Sequence, residues 1–497
     1  MCNKNSLSNL LRCRATALGI VVARSVAVGN ETTESPAYGA RERPVEDSIK
    51  MKNKTRGSLP MLHLVLPLAG EQLLRILVSL ADTFMLSTYS DHAVAGVGLV
   101  SQYMFFLQIL FNVVAVGSSI VLAQYLGAER SRDDLNNISK ASALMTTAVA
   151  LFLSAAVFLG SGPLLNRYSL EDDVRSFAHE YFLIFGGAGA VFNAFSLLQS
   201  SMLRCYGYAR EALIVTFTAN LVNVVGNAIS LYGWFGLPVF GVRGVAVSSA
   251  FSSVVSCLML AAMIRRRKEI AFDLRKIFSV PKKFFRLILS VGIPTAGENL
   301  SYNVSQIAIM AMISSLGTSA MSAQVYTMTI VRFVYAIAIA IGGAVQIKAG
   351  WYVGAHQSDE AYKKIMLYSL WATGTSMFLV IVLNLIKMPV ISIFTDDSQI
   401  IKMVSELLRV SIFLEFGRSL NLIYVGALKG AGDVRFPVLY GIFSNWCVMV
   451  LLAYVLGIRF GFGIVGCFLG IATDETTRGI VMFFRWKSKR WMQKNLV

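Results

Sequence analysis

The apolar run PLAGEQLLRILVSLAD, from Pro67 to Asp82, carries two carboxylates, Glu71 and Asp82, and one guanidinium, Arg75. A segment this apolar belongs in a bilayer. At the centre of a membrane helix an ionised carboxylate costs roughly 2.5–3.5 kcal/mol on insertion scales, so it must face a cavity or a partner. Desolvation also favours the neutral form of a carboxylic acid. Asp82, near mid-membrane or toward the outer leaflet, is therefore read as an ion-coupling switch. It would be protonated or sodium-bound in one state and free to take a cationic ligand in the other; the alternative is a hydrogen-bonded aspartate that packs helices. Asn220, Asn223 and Asn227, spaced by three and four, share one helical face. Their amide oxygens suit a sodium shell or a protonated Asp82, and interhelical polar contact explains them equally.

Other charges fall inside apolar segments. Glu71 shares a helix face with Asp82, and Arg75 at i+4 is its expected partner in a structural or gating pair. Glu298 occupies the matching place in the second half of the chain without an i+4 cation, so a rim, gate or substrate contact is expected of it. Glu415 and Arg418 lie at i, i+3, and Glu475 and Arg478 repeat that spacing beside Asp474. At membrane depth such groups should form one network, with Arg332 as a further partner. Its acids would bind substrate or couple ions, or the whole would be a charge-balanced clamp. Met310, Met312, Phe105, Phe106 and Phe111 would line an adaptable pocket for flat cations, or face lipid and core.

The elements that must position these groups are membrane helices. Of 497 residues, 55% are hydrophobic and only 15% charged, which leaves too little charged surface for a water-soluble fold. Apolar stretches long enough to span recur from about residue 60 onward. They predict twelve spans, at about 60–87, 93–124, 136–161, 175–204, 211–232, 242–265, 283–316, 320–352, 360–387, 398–429, 434–457 and 463–486. The net charge of +17 does not point to nucleic acid, because lysine and arginine concentrate in alternate loops. Arg130, Arg132, Arg204, Arg210, the 265–286 connector, Lys363, Lys364, Lys429, Arg435 and the tail Arg485 to Lys494 fall on one side. By the positive-inside rule that side is cytoplasmic and holds both termini. The chain has no Gly-Lys dipeptide, HExxH or GxSxG, so ATP hydrolysis by a Walker A loop, zinc proteolysis and serine hydrolysis lack their motifs, and no enzyme activity is expected. Six scattered cysteines support neither a zinc site nor a disulfide framework. Residues 1–57 are expected to be a polar disordered tail or an over-called start, with Met51 as the true initiator; their apolar patch Ala15–Val28 is too short to span.

The chain is internally duplicated. A shift of 227 superposes Pro67 on Pro294, Gly70 on Gly297, Glu71 on Glu298 and Gly127-Ala128 on Gly354-Ala355. A shift of 225 superposes Leu203-Arg204 on Leu428-Lys429, Gly207 on Gly432 and Asn220 on Asn445. A shift of 222 brings GVRGVAVSSA at 241–250 onto GIVGCFLGIA at 463–472. Each copy holds six spans running the same way, so the halves should be related by an axis along the membrane normal and suit alternating access. The expected division is an N-lobe at 58–265, a basic cytoplasmic connector at 266–282 and a C-lobe at 283–497 with its basic tail.

PLAGEQLL, LADTFMLS, AVAGVGLVSQ and VLAQYLGA in the first half resemble the opening helices of multidrug and toxic compound extrusion (MATE) transporters. IGGAVQIKAGWYVGA, YVGALKGAGDVRFPVLYGI and GFGIVGCFLGIATDETTRG in the second half resemble the same family, over roughly residues 60–490. The resemblance implies an all-α, V-shaped membrane protein of twelve helices in two pseudo-symmetric six-helix bundles. It implies an antiporter that expels organic cations or drugs against inward proton or sodium flow, with no other cofactor, and makes Asp82 the ion or proton site. Some members carry an Asn-x-x-x-Asp pair where this chain has Asn223-VVG-Asn227, so a two-carboxylate mechanism does not transfer directly. A monomer in the inner (plasma) membrane is expected. The alternatives are a flippase for a lipid-linked substrate, which would need a broad basic cavity, and a non-transporting receptor or scaffold.

Overall fold

In the computed structural model, residues 57–273, 277–494 and 496–497 are described, and their secondary structure is entirely helical. The expected tail up to residue 56, with Met51, lies outside them. The first half comprises α1 (Leu62–Tyr89), α2 (Asp91–Gly127), α3 (Arg132–Leu165), α4 (Asp172–Tyr181), α5 (Ala190–Cys205), α6 (Ala209–Tyr232) and α7 (Gly241–Arg266). The second comprises α8 (Lys282–Ser314), α9 (Thr318–Gly354), α10 (Ser358–Leu385), the short α11 (Lys387–Ile391), α12 (Ser398–Gly430), α13 (Arg435–Ser444) and α14 (Gly463–Lys487). A π-helical turn, Phe182–Ala188, joins α4 to α5 as one span bent by 49°. Two further π turns extend α13 to Arg459.

These make twelve spans with boundaries close to those read from hydropathy. Among the described residues, eight helices are long and apolar enough to cross a membrane unaided, and the bent α4–α5 pair makes a ninth. The other three spans, α8, α12 and α14, hold most of the buried charges of the second half. Their ends follow from local chemistry. Ser90 caps α2 by accepting from the His92 amide, Ser131 caps α3, and Asp397 accepts from the Gln399 and Ile400 amides to start α12.

The duplication recurs as geometry. α5 and α12 end in the same turn: Tyr208 donates its backbone N–H to Leu203, and Asp433 donates to Leu428. Gly207 and Gly432 supply the left-handed residue at φ +90° and +91°. Glu129 and His356, also related by the 227-residue shift, hold the left-handed position after α2 and α9.

The halves pack as one compact unit. Their named polar and close-packed contacts lie toward the face that carries Arg130, Lys363, Arg435 and the C-terminus, here the basic face. Gly127 lies so close to the Trp351 carbonyl, and Gly354 to the Gln124 carbonyl, that a Cβ at either would collide. Gln124 Nε2 donates to the Gly430 carbonyl at 2.7 Å, and Trp351 Nε1 to the Cys205 carbonyl at 3.0 Å. Donors and acceptors are both repeat equivalents, so one latch is built twice, once in each direction. The segments flanking α1 and α14 join it: Leu496 donates its N–H to Gln124, and Lys348 donates to the carbonyls of Gly57 and Leu59.

Candidate functional site

Asp82 lies seven residues before the end of α1, about 10 Å of helix from the face opposite the basic one. α1 packs along α6, and Asn227 Nδ2 donates to Asp82 Oδ1 at 2.8 Å. The same amide lies 3.5 Å from Asn223 Oδ1, and Asn223 donates to Ser249 on α7 at 3.1 Å. Tyr181, the last residue before the π turn, faces both Ser249 and Asp82. An apolar collar of Met85, Leu86, Val97, Ala228 and Leu231 adjoins the group. Asn227 is buried and Asp82 is half-buried. Asn227 Oδ1 is buried without a donor. One carboxylate, an unsatisfied amide oxygen and neighbouring hydroxyls form an oxygen-only set that fits a proton or a hard monovalent cation. No three His, Cys, Asp or Glu side chains gather into a metal site among the described residues, so a cation here would draw mainly on neutral oxygens.

Asn220 does not join this group. It lies on the same stripe as Asn227 but about 10 Å nearer the basic face, too far to reach Asp82. Its Nδ2 is buried without a partner beside a cavity of about 150 Å³ among α1, α5, α6 and α7. The sequence reading missed Tyr181 and Ser249, which come from elements distant in the chain.

The expected Glu71–Arg75 pair is not formed. Glu71 is fully buried and binds Arg204, from the last turn of α5, at 2.6 Å. The buried carboxylate takes the cation that enters from the neighbouring helix, and Arg75, one turn further along α1, opens into a cavity of about 400 Å³ between the halves. Gln72, Gln108, Asn112 and Gln346 also line it. In the second half Glu298 binds Lys429 at 2.7 Å. Glu71 with Arg204 and Glu298 with Lys429 are thus one ion pair repeated. The signal was present, because the repeat registers superpose both the acids and the cations.

Glu298 also binds Arg478 at 2.6 Å, and Arg478 reaches Asn445 at 3.2 Å and Asp474 at 3.9 Å. Asp474 accepts from Ser444. Arg418 binds Glu415 at 2.6 Å and lies 3.5 Å from Glu475, which accepts from Asn421 at 2.7 Å. The i, i+3 spacing therefore pairs Glu415 with Arg418 but not Glu475 with Arg478. Those two reach across to α12 and α8 instead, because the helices that bury them bring opposite charges into direct contact. Gly441 makes room: a Cβ there would sit 2.8 Å from Glu298 and 2.9 Å from Arg478. Arg332 is exposed and takes no part in this network; the Tyr335 ring lies 4.6 Å beneath Arg418 instead. Every charged member of this network is buried, the arrangement of a clamp. Phe111 and Met312 pack into apolar clusters, and Phe105, Phe106 and Met310 are exposed.

Comparison with known proteins agrees with this architecture. The sequence profile of the MatE family matches twice, over residues 67–229 and 294–455. An uncharacterized transporter, YisQ, of Bacillus subtilis (strain 168) is 33% identical over 455 residues, covering 92% of this chain and all of that protein. A probable multidrug resistance protein, NorM, of Thermotoga maritima is 28% identical over 87% of this chain and 93% of its own length. A crystal structure of MATE in the bent conformation superposes with a TM-score of 0.81 at 19% identity, covering 89% of this chain and 97% of that one.

Proposed function

The chain belongs to the MatE family of multidrug membrane transporters, and from that premise we propose that it is an antiporter coupling the inward flow of a monovalent cation, H⁺ or Na⁺, to the export of organic cations. The observation that carries this reading is the half-exposed Asp82 held by Asn227 across two helices, with a spare amide oxygen beside it.

Asp82 and Asn227 bind the coupling ion, with Asn223, Tyr181 and Ser249 completing the shell. Neutralising Asp82 removes the charge that the Asn227 amide stabilises, which changes the balance of contacts between α1 and α6. The basic face is cytoplasmic by the distribution of lysine and arginine. The Gln124–Gly430 and Trp351–Cys205 bonds hold that side shut, and the lobes, 58–265 and 283–497, rock about the 266–282 connector to open it. Glu298, Glu415, Arg418, Asp474, Glu475 and Arg478 keep the second lobe rigid during the movement. Energy suffices, since one elementary charge crossing 100 mV supplies about 2.3 kcal/mol.

The test is transport of a fluorescent organic cation in proteoliposomes under a pH gradient or a sodium gradient imposed separately. Asp82→Asn, nearly isosteric but unable to titrate, should fold and lose gradient-driven transport. Wild-type rates in that variant would remove Asp82 from coupling. Absence of transport under both gradients, in folded wild-type protein, would overturn the antiport reading.

A further inference from the structure

Arg75 lies about 20 Å along α1, at membrane depth, and its side chain is exposed to the two cavities it lines. With Glu71 taken by Arg204, Arg75 has no ion pair and no hydrogen bond among the described residues. The larger cavity therefore holds two cations, Arg75 and Arg204, against one carboxylate, Glu71. An intramembrane arginine that faces a cavity without a carboxylate partner marks a binding position. The smaller cavity, of about 150 Å³, is walled by Ser196, Ser200, Thr216 and Ser256 and contains no acid. At its wall Asn220 Nδ2 is a buried donor with no acceptor. Independent observations thus converge: an unneutralised guanidinium, an orphaned amide donor and a lining rich in hydroxyl groups. The guanidinium and the amide lack an acceptor among the described residues, and an oxyanion supplies it. Arginine in particular presents a planar fork that matches carboxylate and phosphate oxygens.

We propose that Arg75 and Asn220 form an oxyanion subsite, which seats a carboxylate or phosphate group of an amphiphilic ligand in the smaller cavity while the ligand's body fills the 400 Å³ cavity between the halves. The larger volume falls within the range of small-molecule pockets. This deepens the transport reading and rests on it for the ligand's passage, but not for its binding. The transported molecule carries an anionic group in addition to its cationic one, and Asn220 serves that group rather than the coupling ion.

The test is equilibrium binding by fluorescence anisotropy, with purified full-length protein in neutral detergent and no gradient. The probes are rhodamine B, which bears a free carboxylate, and its ethyl ester, in which an ethyl group caps that carboxylate and removes its charge. Arg75→Gln and Asn220→Leu should each weaken rhodamine B binding about tenfold, roughly 1.4 kcal/mol, and leave the ester unchanged. Arg75→Lys should restore most of the affinity, and Asn220→Asp should abolish the preference for the carboxylate. In nanodiscs, competition by phosphatidylglycerol but not phosphatidylcholine, lost in Arg75→Gln, would identify a phospholipid headgroup as the source of the oxyanion. Equal loss for both dyes, or for neither, overturns the subsite. So does wild-type protein that binds neither dye and shows no Arg75-dependent competition by anionic lipid. Selective binding without gradient-driven transport would leave the subsite standing and remove only the antiport reading.

Discussion

Glu298 neutralises two cations at once, Lys429 and Arg478, at 2.7 and 2.6 Å inside a buried network. Removing one partner of such a cluster leaves an uncompensated charge out of water, which typically costs about 3–5 kcal/mol, whereas removing matched partners together costs much less. Glu298→Ala should therefore lower thermal stability sharply in detergent, and Glu298→Ala combined with Lys429→Met and Arg478→Met should recover most of the loss. Equal destabilisation by the single and triple variants would mean that the charges do not act as a unit. Asp82 differs in kind. It has one neutral partner and partial access, so its conservative replacement should alter coupling and not folding. Burial and pairing separate the two roles where residue type cannot.

Between helices the repeat dictates the joints. Gly207 and Gly432 occupy the same left-handed position after α5 and α12, where any other L-residue is strained by roughly 1–2 kcal/mol. Gly207→Ala should lower the stability by that order. Gly432→Ala should lower it further, because its Cβ would also collide with the Lys494 carbonyl and crowd Gln124. Glu129 and His356 already bear this strain after α2 and α9, so Glu129→Gly and His356→Gly should be neutral or stabilising. Thermal unfolding of the four variants in one detergent checks the order, and a destabilising Glu129→Gly would count against it. The π turn at Phe182–Ala188 has no counterpart in α12, the equivalent span, which is α-helical throughout. It bends the first half's span and brings Tyr181 to Asp82.

For the whole molecule, the two-way latch joins the halves at the basic face. Gln124 and Trp351 each donate one hydrogen bond across the halves, and a net bond of this kind contributes about 0.5–1.5 kcal/mol. Gln124→Ala or Trp351→Phe should each shift the balance toward a state open at the basic face by a few-fold, and together by more than tenfold. Pulsed electron-paramagnetic distance measurements between spin labels at positions 130 and 435, one on each half, would read the shift as a longer distance. An unchanged distribution in the double variant would assign closure to the glycine contacts alone.

Hydropathy and charge determined twelve spans, their ends and the basic face, because each depends on residues within one helix or loop. Composition also marked α8, α12 and α14 as carriers of charge, and the repeat registers placed Glu71 with Glu298 and Arg204 with Lys429. Partner choice needed the tertiary structure. Glu71 and Arg204 are 133 residues apart, Asp82 and Asn227 145 apart, and Glu298 and Arg478 180 apart. Local spacing favoured Arg75 for Glu71 and Arg478 for Glu475. Both were displaced by groups on neighbouring helices: Arg75 stays exposed while Arg204 meets the buried Glu71, and Arg478 turns to Glu298 across a helix interface. Asn220 parted from Asn227 for a simpler reason: a helical stripe specifies direction around the axis but not which neighbour lies 10 Å further along it. The packing of α1 against α5 and α6 decided that, and with it which of the helix's charges is paired and which faces the cavity.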